Sequence, residues 1–322
     1  MHNVPPPLPP SGDITLVTVP NSNLTVNWDP PSLANQPSLR VEDNMKETGG
    51  IWSSANSTVA SFAENPEETT LRSTLFRHFR ANIDTTHTDI ILIICSFVSG
   101  LVDGLSFNAW GSFASMQTGN SVFIALGASG QPSYPAYLWA KSLIALTVFI
   151  TSNILFIHVS WALSPRRRST LILSFGVQSA ALFAAAILVQ LEVIDPKPED
   201  PRAPIAWMQV LPISLLSFQA GGQIVASRVL GFDEIPTVVL TTLLCDLLVD
   251  PKLTAKVNPP RNRRIGAFLA LFLGAMTAGG LSKVSSMGAS LWFAFGLKLM
   301  MTVGWFVWKG EREMVRKRDA EG

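Results

Sequence analysis

From about residue 89 to residue 308 the chain alternates long apolar runs with short polar breaks, and nothing similar precedes it. Six runs, 89–110, 138–163, 171–194, 205–227, 265–284 and 289–308, meet the length of about 20 residues that a helix needs to cross about 30 Å of hydrocarbon. Two more, 111–127 and 235–249, are apolar but unsuited to a full crossing. The first is interrupted by Gln117-Thr-Gly-Asn120, and the second reaches only about 22 Å as a helix. Each is expected to be a short re-entrant helix. For the second, Asp233 and Glu234 ahead of Pro236 read as a start signal and Asp250-Pro251 as a stop.

The runs also repeat. Phe97-Val-Ser-Gly100 and Asp103 recur as Phe218-Gln-Ala-Gly221 and Gln223, and Thr118-Gly-Asn120 aligns with Thr241-Thr242. Leu143-Ile-Ala-Leu146 matches Phe268-Leu-Ala-Leu271, and Phe175-Gly-Val-Gln178 matches Phe295-Gly-Leu-Lys298. The matched stretches are 97–189 and 218–308, and the repeats are taken as 88–194 and 205–308. With three crossings per repeat, an odd number, the second copy sits upside down relative to the first, a plan common among transporters and channels.

Charge bears on the count of crossings, because Lys and Arg accumulate on the cytoplasmic side of short loops. Six crossings with both termini inside keep Arg166-Arg-Arg168, Arg228, the cluster from Lys252 to Arg264 and the tail from Lys309 to Arg318 on one side. Eight crossings place Arg166-Arg-Arg168 outside and give parallel repeats of four. Six is the expectation. Seven of the nine tryptophans, among them Trp110, Trp139, Trp161, Trp207 and Trp308, fall near run ends, as an interfacial belt requires.

The expected fold class is therefore an all-α integral membrane protein: a membrane domain over 85–310, preceded by a disordered cytoplasmic segment over 1–84 and followed by a basic tail over 311–322. The lipid bilayer is the expected partner. Val4-Pro-Pro-Pro-Leu-Pro-Pro10 favours polyproline II, which serves as a tether or as a ligand for an SH3 or WW domain. The sequons at Asn23 and Asn56 are expected to go unused behind an inside N-terminus. Cys95 and Cys245 read as inert packing.

Polar groups within the crossings are the candidates for function, since each is costly in hydrocarbon unless paired or hydrated. Asp103 and Lys298 lie deep in the first and last crossings, and with Asp246 they can form a charge network across the repeats. Gln117, Thr118 and Asn120 in one half and Thr241 and Thr242 in the other supply polar lining, joined by Gln178, Gln219 and Gln223. No HExxH, GxSxG or Walker-type GxxxxGK[ST] pattern occurs, so neither enzyme chemistry nor nucleotide-driven transport is expected, and no cofactor or metal.

Leu101-Val-Asp-Gly-Leu-Ser106, Phe113, Gln117-Thr-Gly-Asn120 and Val122-Phe-Ile-Ala-Leu126 together resemble the signature of the YoaK-like family of membrane proteins, a domain of unknown function. Gly221-Gly-Gln223 with Thr241 and Thr242 resembles its second-half pattern. The resemblance implies a multi-span helical membrane protein and supplies no binding residues. The functional expectation is a secondary transporter or channel for a small polar or anionic solute, with Asp103 as the coupling or gating acid and Lys298 as counter-charge. The alternative is a membrane scaffold without transport activity.

Overall fold

The computed structural model describes residues 66–131, 137–194 and 205–311. The Pro run, both sequons, the loops at 132–136 and 195–204 and the tail from 312 lie outside the described residues. The described chain is helical apart from two isolated backbone bridges, Asn82 with Arg167 and Ile83 with Gly310.

After α1 (Pro66–Arg80) come α2 (Thr88–Trp110), α3 (Gln117–Ala128), α4 (Leu138–Leu163) and α5 (Arg168–Gln190). A 3-10 turn, Trp207–Gln209, leads into α6 (Val210–Leu230), followed by α7 (Leu240–Leu248), α8 (Pro259–Val284) and α9 (Met287–Val307). Six of these helices, α2, α4, α5, α6, α8 and α9, are long and apolar enough to cross a membrane. They match the six expected crossings with ends shifted by a few residues. Helix α5 starts three residues early, at Arg168, whose guanidinium is buried and donates to the carbonyls of His78 and Trp308.

Three sequence expectations need correction. Residues 66–80 are helical, although the segment through 84 reads as disordered; the basic last turn of Arg77, His78 and Arg80 suits a helix C-terminus. Helix α7 starts at Leu240, past the start signal at Asp233–Pro236, because Phe232, Ile235 and Val238 are buried and hold that stretch as irregular backbone. The tryptophans divide. Trp139, Trp161 and Trp207 are exposed near helix ends, whereas Trp110 and Trp305 are packed in the core.

Helix pairing crosses between the halves of the domain. Helix α2 packs most extensively on α8, α4 on α6, and α5 on α9. Small residues set the first two pairs. A Cβ at Gly100 would overlap the Leu271 carbonyl, one at Gly274 would overlap that of Phe97, and one at Gly221 would overlap the Ser152 hydroxyl. Close backbone approach of this kind is the usual basis of helix association in lipid, where burial of apolar surface gives no driving force. In the third pair Phe175 meets Trp305 edge-on at 5.4 Å, and the hydroxyls of Ser179 and Thr302 lie 3.0 Å apart.

Basic residues collect at one end of the bundle. There Ile83 N–H donates to Arg166 O, Asp84 N–H to Lys309 O and Arg166 Nε to Val229 O, joining the start of α2 to the ends of α4, α6 and α9. Arg263 ties α8 into the same end through Asp89 and Glu234, each at 2.9 Å, with its guanidinium 4.7 Å from the Phe232 ring. At the opposite end buried Lys141 donates to Trp110 O at 3.2 Å and to the Gln209 side chain, gathering α2, α4 and the start of α6.

Candidate functional site

Helix α2 stops at Gly111, whose φ of 71° is a left-handed turn that a side chain disfavours. The chain then doubles back along α2. Ser106 Oγ donates to Ser112 O at 2.7 Å, and Ala114 N–H and Ser115 N–H donate to Asp103 Oδ1 at 2.9 and 2.7 Å. The Ser115 hydroxyl donates to the other Asp103 oxygen. Asp103 lies seven residues before Trp110, so the returning segment penetrates by about 10 Å before α3 begins. Asn120 closes the turn. Its amide oxygen accepts from Phe113 N–H at 3.0 Å, and its amide nitrogen donates to Phe113 O at 2.7 Å and Gln117 Oε1 at 2.9 Å. Backbone outside regular helix is tolerated at membrane depth only when its polar groups are met in this way.

A second left-handed helix stop lies at the end of α6. Helix α6 stops at Gly231, with φ 81°, and a buried irregular stretch precedes α7. No carboxylate holds that stretch from within the bundle; its acids Asp233 and Glu234 instead face Arg228 and Arg263 at the basic end.

Lys298 occupies the middle of α9 and is fully buried. Its Nζ donates to Gln223 Oε1 on α6 at 2.6 Å, lies 3.9 Å from Cys95 Sγ on α2, and sits 5.4 Å from the centre of the Phe175 ring on α5. Gln223 in turn donates to Ser99 Oγ at 2.7 Å and to the Cys95 carbonyl at 2.9 Å. None of the four ion pairs among the described residues includes Lys298. A cation at the centre of a membrane helix costs about 3 kcal/mol, and here its protein partners are a neutral amide, a thiol and an aromatic face.

Two further glutamines are buried at the same depth. Gln219 lies one helical turn before Gln223 on the same face of α6, and both its side-chain oxygen and nitrogen lack a hydrogen-bonding partner. Gln178 on α5 donates to Ser174 Oγ at 3.1 Å and leaves its oxygen unpartnered. Counted from the basic end, Lys298, Ser99, Gln178 and Gln219 all fall about 14–17 Å along their helices, near the middle. This layer is the candidate site.

The remaining sequence candidates lie elsewhere. Gln117 and Asn120 belong to the Asp103 turn, where Thr118 is exposed. Thr241, Thr242 and Asp246 are exposed on α7, and Asp246 lines a surface recess with Asp250 and Arg264. Asp103, Asp246 and Lys298 form no common charge network: Asp103 is bound by the 114–115 backbone, Asp246 is on the surface and Lys298 is held by Gln223. The sequence reading passed over Ser99 and Ser115, which have no signal of their own, and took Cys95 as packing although it borders Lys298. Among the described residues no group of three or more His, Cys, Asp or Glu is placed to hold a metal.

Six apolar helices of spanning length and a polar layer at mid-depth define the class, a multi-pass helical membrane protein. Residues 91–304 match the family model of proteins of unknown function DUF1275, and the chain belongs to that family. No curated protein and no solved structure matches the chain.

Proposed function

We propose that the protein is a secondary transporter or channel for a small anionic or polar solute, with its site at Lys298, Gln223, Gln219 and Gln178. The observation that carries this reading is the buried Lys298 amine, held by neutral groups at mid-depth, with the unpartnered Gln219 amide at the same depth one turn from Gln223. An anion arriving there would supply the missing counter-charge and use the free amide donor.

The crossed pairing supports a two-fold arrangement of inverted repeats. The pair α2–α8 is the counterpart of α6–α4, and α5–α9 is its own counterpart. The left-handed glycines Gly111 and Gly231 end equivalent helices, and α3 and α7, about 18 and 13 Å long, are the short re-entrant elements. Asp103 lies one turn outward of Ser99 on the same face of α2, so the segment it clasps caps the outer approach to the layer. The basic end is cytoplasmic, with both termini inside.

Reconstituted protein should carry chloride, nitrate, formate or acetate into vesicles under an imposed gradient, with flux abolished by Lys298→Met. Flux that survives Lys298→Met and Asp103→Asn together rejects the site, and the absence of flux for all four anions rejects an anionic solute of that size. Orientation is tested separately in a Cys245→Ser background: an impermeant thiol reagent applied to intact cells should label Ser133→Cys and spare Ser169→Cys. The opposite pattern rejects the inside basic end, through either a reversed bundle or eight crossings.

A further inference from the structure

Helix α1 precedes the 91–304 region that matches the family, and the membrane bundle does not need it to complete its core. It is nonetheless fixed to the bundle at its C-terminal end. His78 Nε2 lies 2.9 Å from Phe306 O, the Phe79 and Phe306 rings meet edge-on at 5.9 Å, and Arg168 donates to His78 O at 2.8 Å. These contacts set its depth. Phe306 belongs to the outward face of α9, where Met300, Val303 and Val307 are 55%, 56% and 80% exposed, the surface that meets lipid. Phe306 is also one residue from the end of that helix, at the basic end of the bundle. Helix α1 thus ends where the lipid-facing surface of α9 reaches the boundary with water.

The exposed residues of α1 suit that boundary. Leu75 and Phe76 are 56% and 62% exposed, and the Arg80 guanidinium covers the Phe76 ring at 5.1 Å. Arg72, Arg77 and Arg80 are exposed and take part in none of the four ion pairs among the described residues. Large exposed apolar side chains and exposed guanidinium groups on one short helix are the features of an element that lies in the plane of an anionic membrane surface, its apolar side chains in the acyl boundary and its arginines among phosphates.

We infer that α1 is an in-plane docking helix for anionic phospholipids on the face of the membrane where the basic residues gather. The bundle supplies the anchor, and lipid phosphates meet the exposed Arg72, Arg77 and Arg80. This inference is independent of transport and of which solute the core accepts.

The test is a nitroxide at Leu75→Cys in the full-length Cys245→Ser protein, in vesicles of phosphatidylcholine with or without phosphatidylserine. Collision with dissolved oxygen and with a water-soluble nickel chelate reports depth. In phosphatidylserine vesicles the label should meet oxygen and be shielded from nickel. Each Arg→Gln change at 72, 77 or 80 should shift the balance toward water by about five-fold, the equivalent of about 1 kcal/mol per basic residue at an anionic surface. A label open to nickel in both vesicle types overturns the docking. A label equally shielded in both, and indifferent to the three substitutions, overturns recognition of anionic lipid.

Discussion

Gln223 accepts from Lys298 at 2.6 Å and passes its own amide protons to Ser99 and to the Cys95 carbonyl, so one neutral side chain joins α9, α6 and α2 at the middle of the bundle. Its oxygen is committed to the lysine and its nitrogen to α2. Lys298 retains donor capacity that no carboxylate among the described residues takes up.

Replacement of Lys298 by Met should therefore separate function from stability. Removing a cation that costs about 3 kcal/mol at the centre of a membrane helix offsets the loss of about 1–3 kcal/mol for the Gln223 oxygen left without its donor. The unfolding temperature in detergent should hold or rise while flux is lost. A marked fall in unfolding temperature would identify Lys298 as a structural peg instead.

Asp103 is expected to behave in the opposite way. Asp103→Leu strips the acceptor from two backbone N–H groups and one hydroxyl, each worth about 1–3 kcal/mol when left buried and unpaired. Hydrogen exchange over residues 112–120 should accelerate strongly in this variant and little in Asp103→Asn, which keeps one acceptor oxygen. Unchanged protection in the Leu variant would mean that Asn120 alone holds the turn.

The crossing of α2 and α8 predicts a contrast between glycines. Gly100→Ala forces a methyl group into the Leu271 carbonyl and should cost about 1–3 kcal/mol or more, as overpacking does. Gly279→Ala meets open space, and in the helix interior alanine is favoured over glycine by up to about 1 kcal/mol. Thermal stability of the two variants in one detergent checks the pair. Equal effects would contradict the close approach.

At the basic end, Asp250 accepts from Asn258 Nδ2 at 2.9 Å and from Lys252 N–H at 2.8 Å, with Arg264 at 3.6 Å. The Asn258 hydrogen bond first, then that of the Lys252 backbone, hold its carboxyl below the usual range. A depressed carboxylate stabilises the fold above its unfolded value, about 3.9, and that contribution is lost as pH falls through the still lower folded value. Exchange protection over 250–262 should be constant from neutral pH to about 4 and fall below it. Asp250→Asn should remove this acid step; persistence of the step in that variant would assign it to another group.

The crossings were legible because hydropathy and length suffice to read them, and their ends were not, because charged residues enter the helices by tertiary contact. Arg168 begins α5 only because the carbonyls of His78 and Trp308 wait for it, and Arg263 lies inside α8 because Asp89 and Glu234 flank it. Neither partner is near in sequence. Similarly, the depth of Asp103 and Lys298 could be counted from the sequence, but their partners could not. The chain reversal at Gly111 brings Ser115 to Asp103, and the packing of α9 on α5 and α2 brings Lys298 within reach of Gln223. Helix α1 escaped notice because its apolar positions are few and set among arginines.

The crossed pairing has a consequence for synthesis. Among the described residues α2 makes no extended contact with α4 or α5, and α6 makes none with α8 or α9. A nascent chain halted after its third crossing therefore joins α2 to α4 only through α3 and the Lys141–Trp110 contact, and Gly100 and Gly104 stand bare until the fifth crossing emerges. Insertion and assembly must be separate events, and any factor that shields a half-made chain would find the glycine face of α2 open for most of translation.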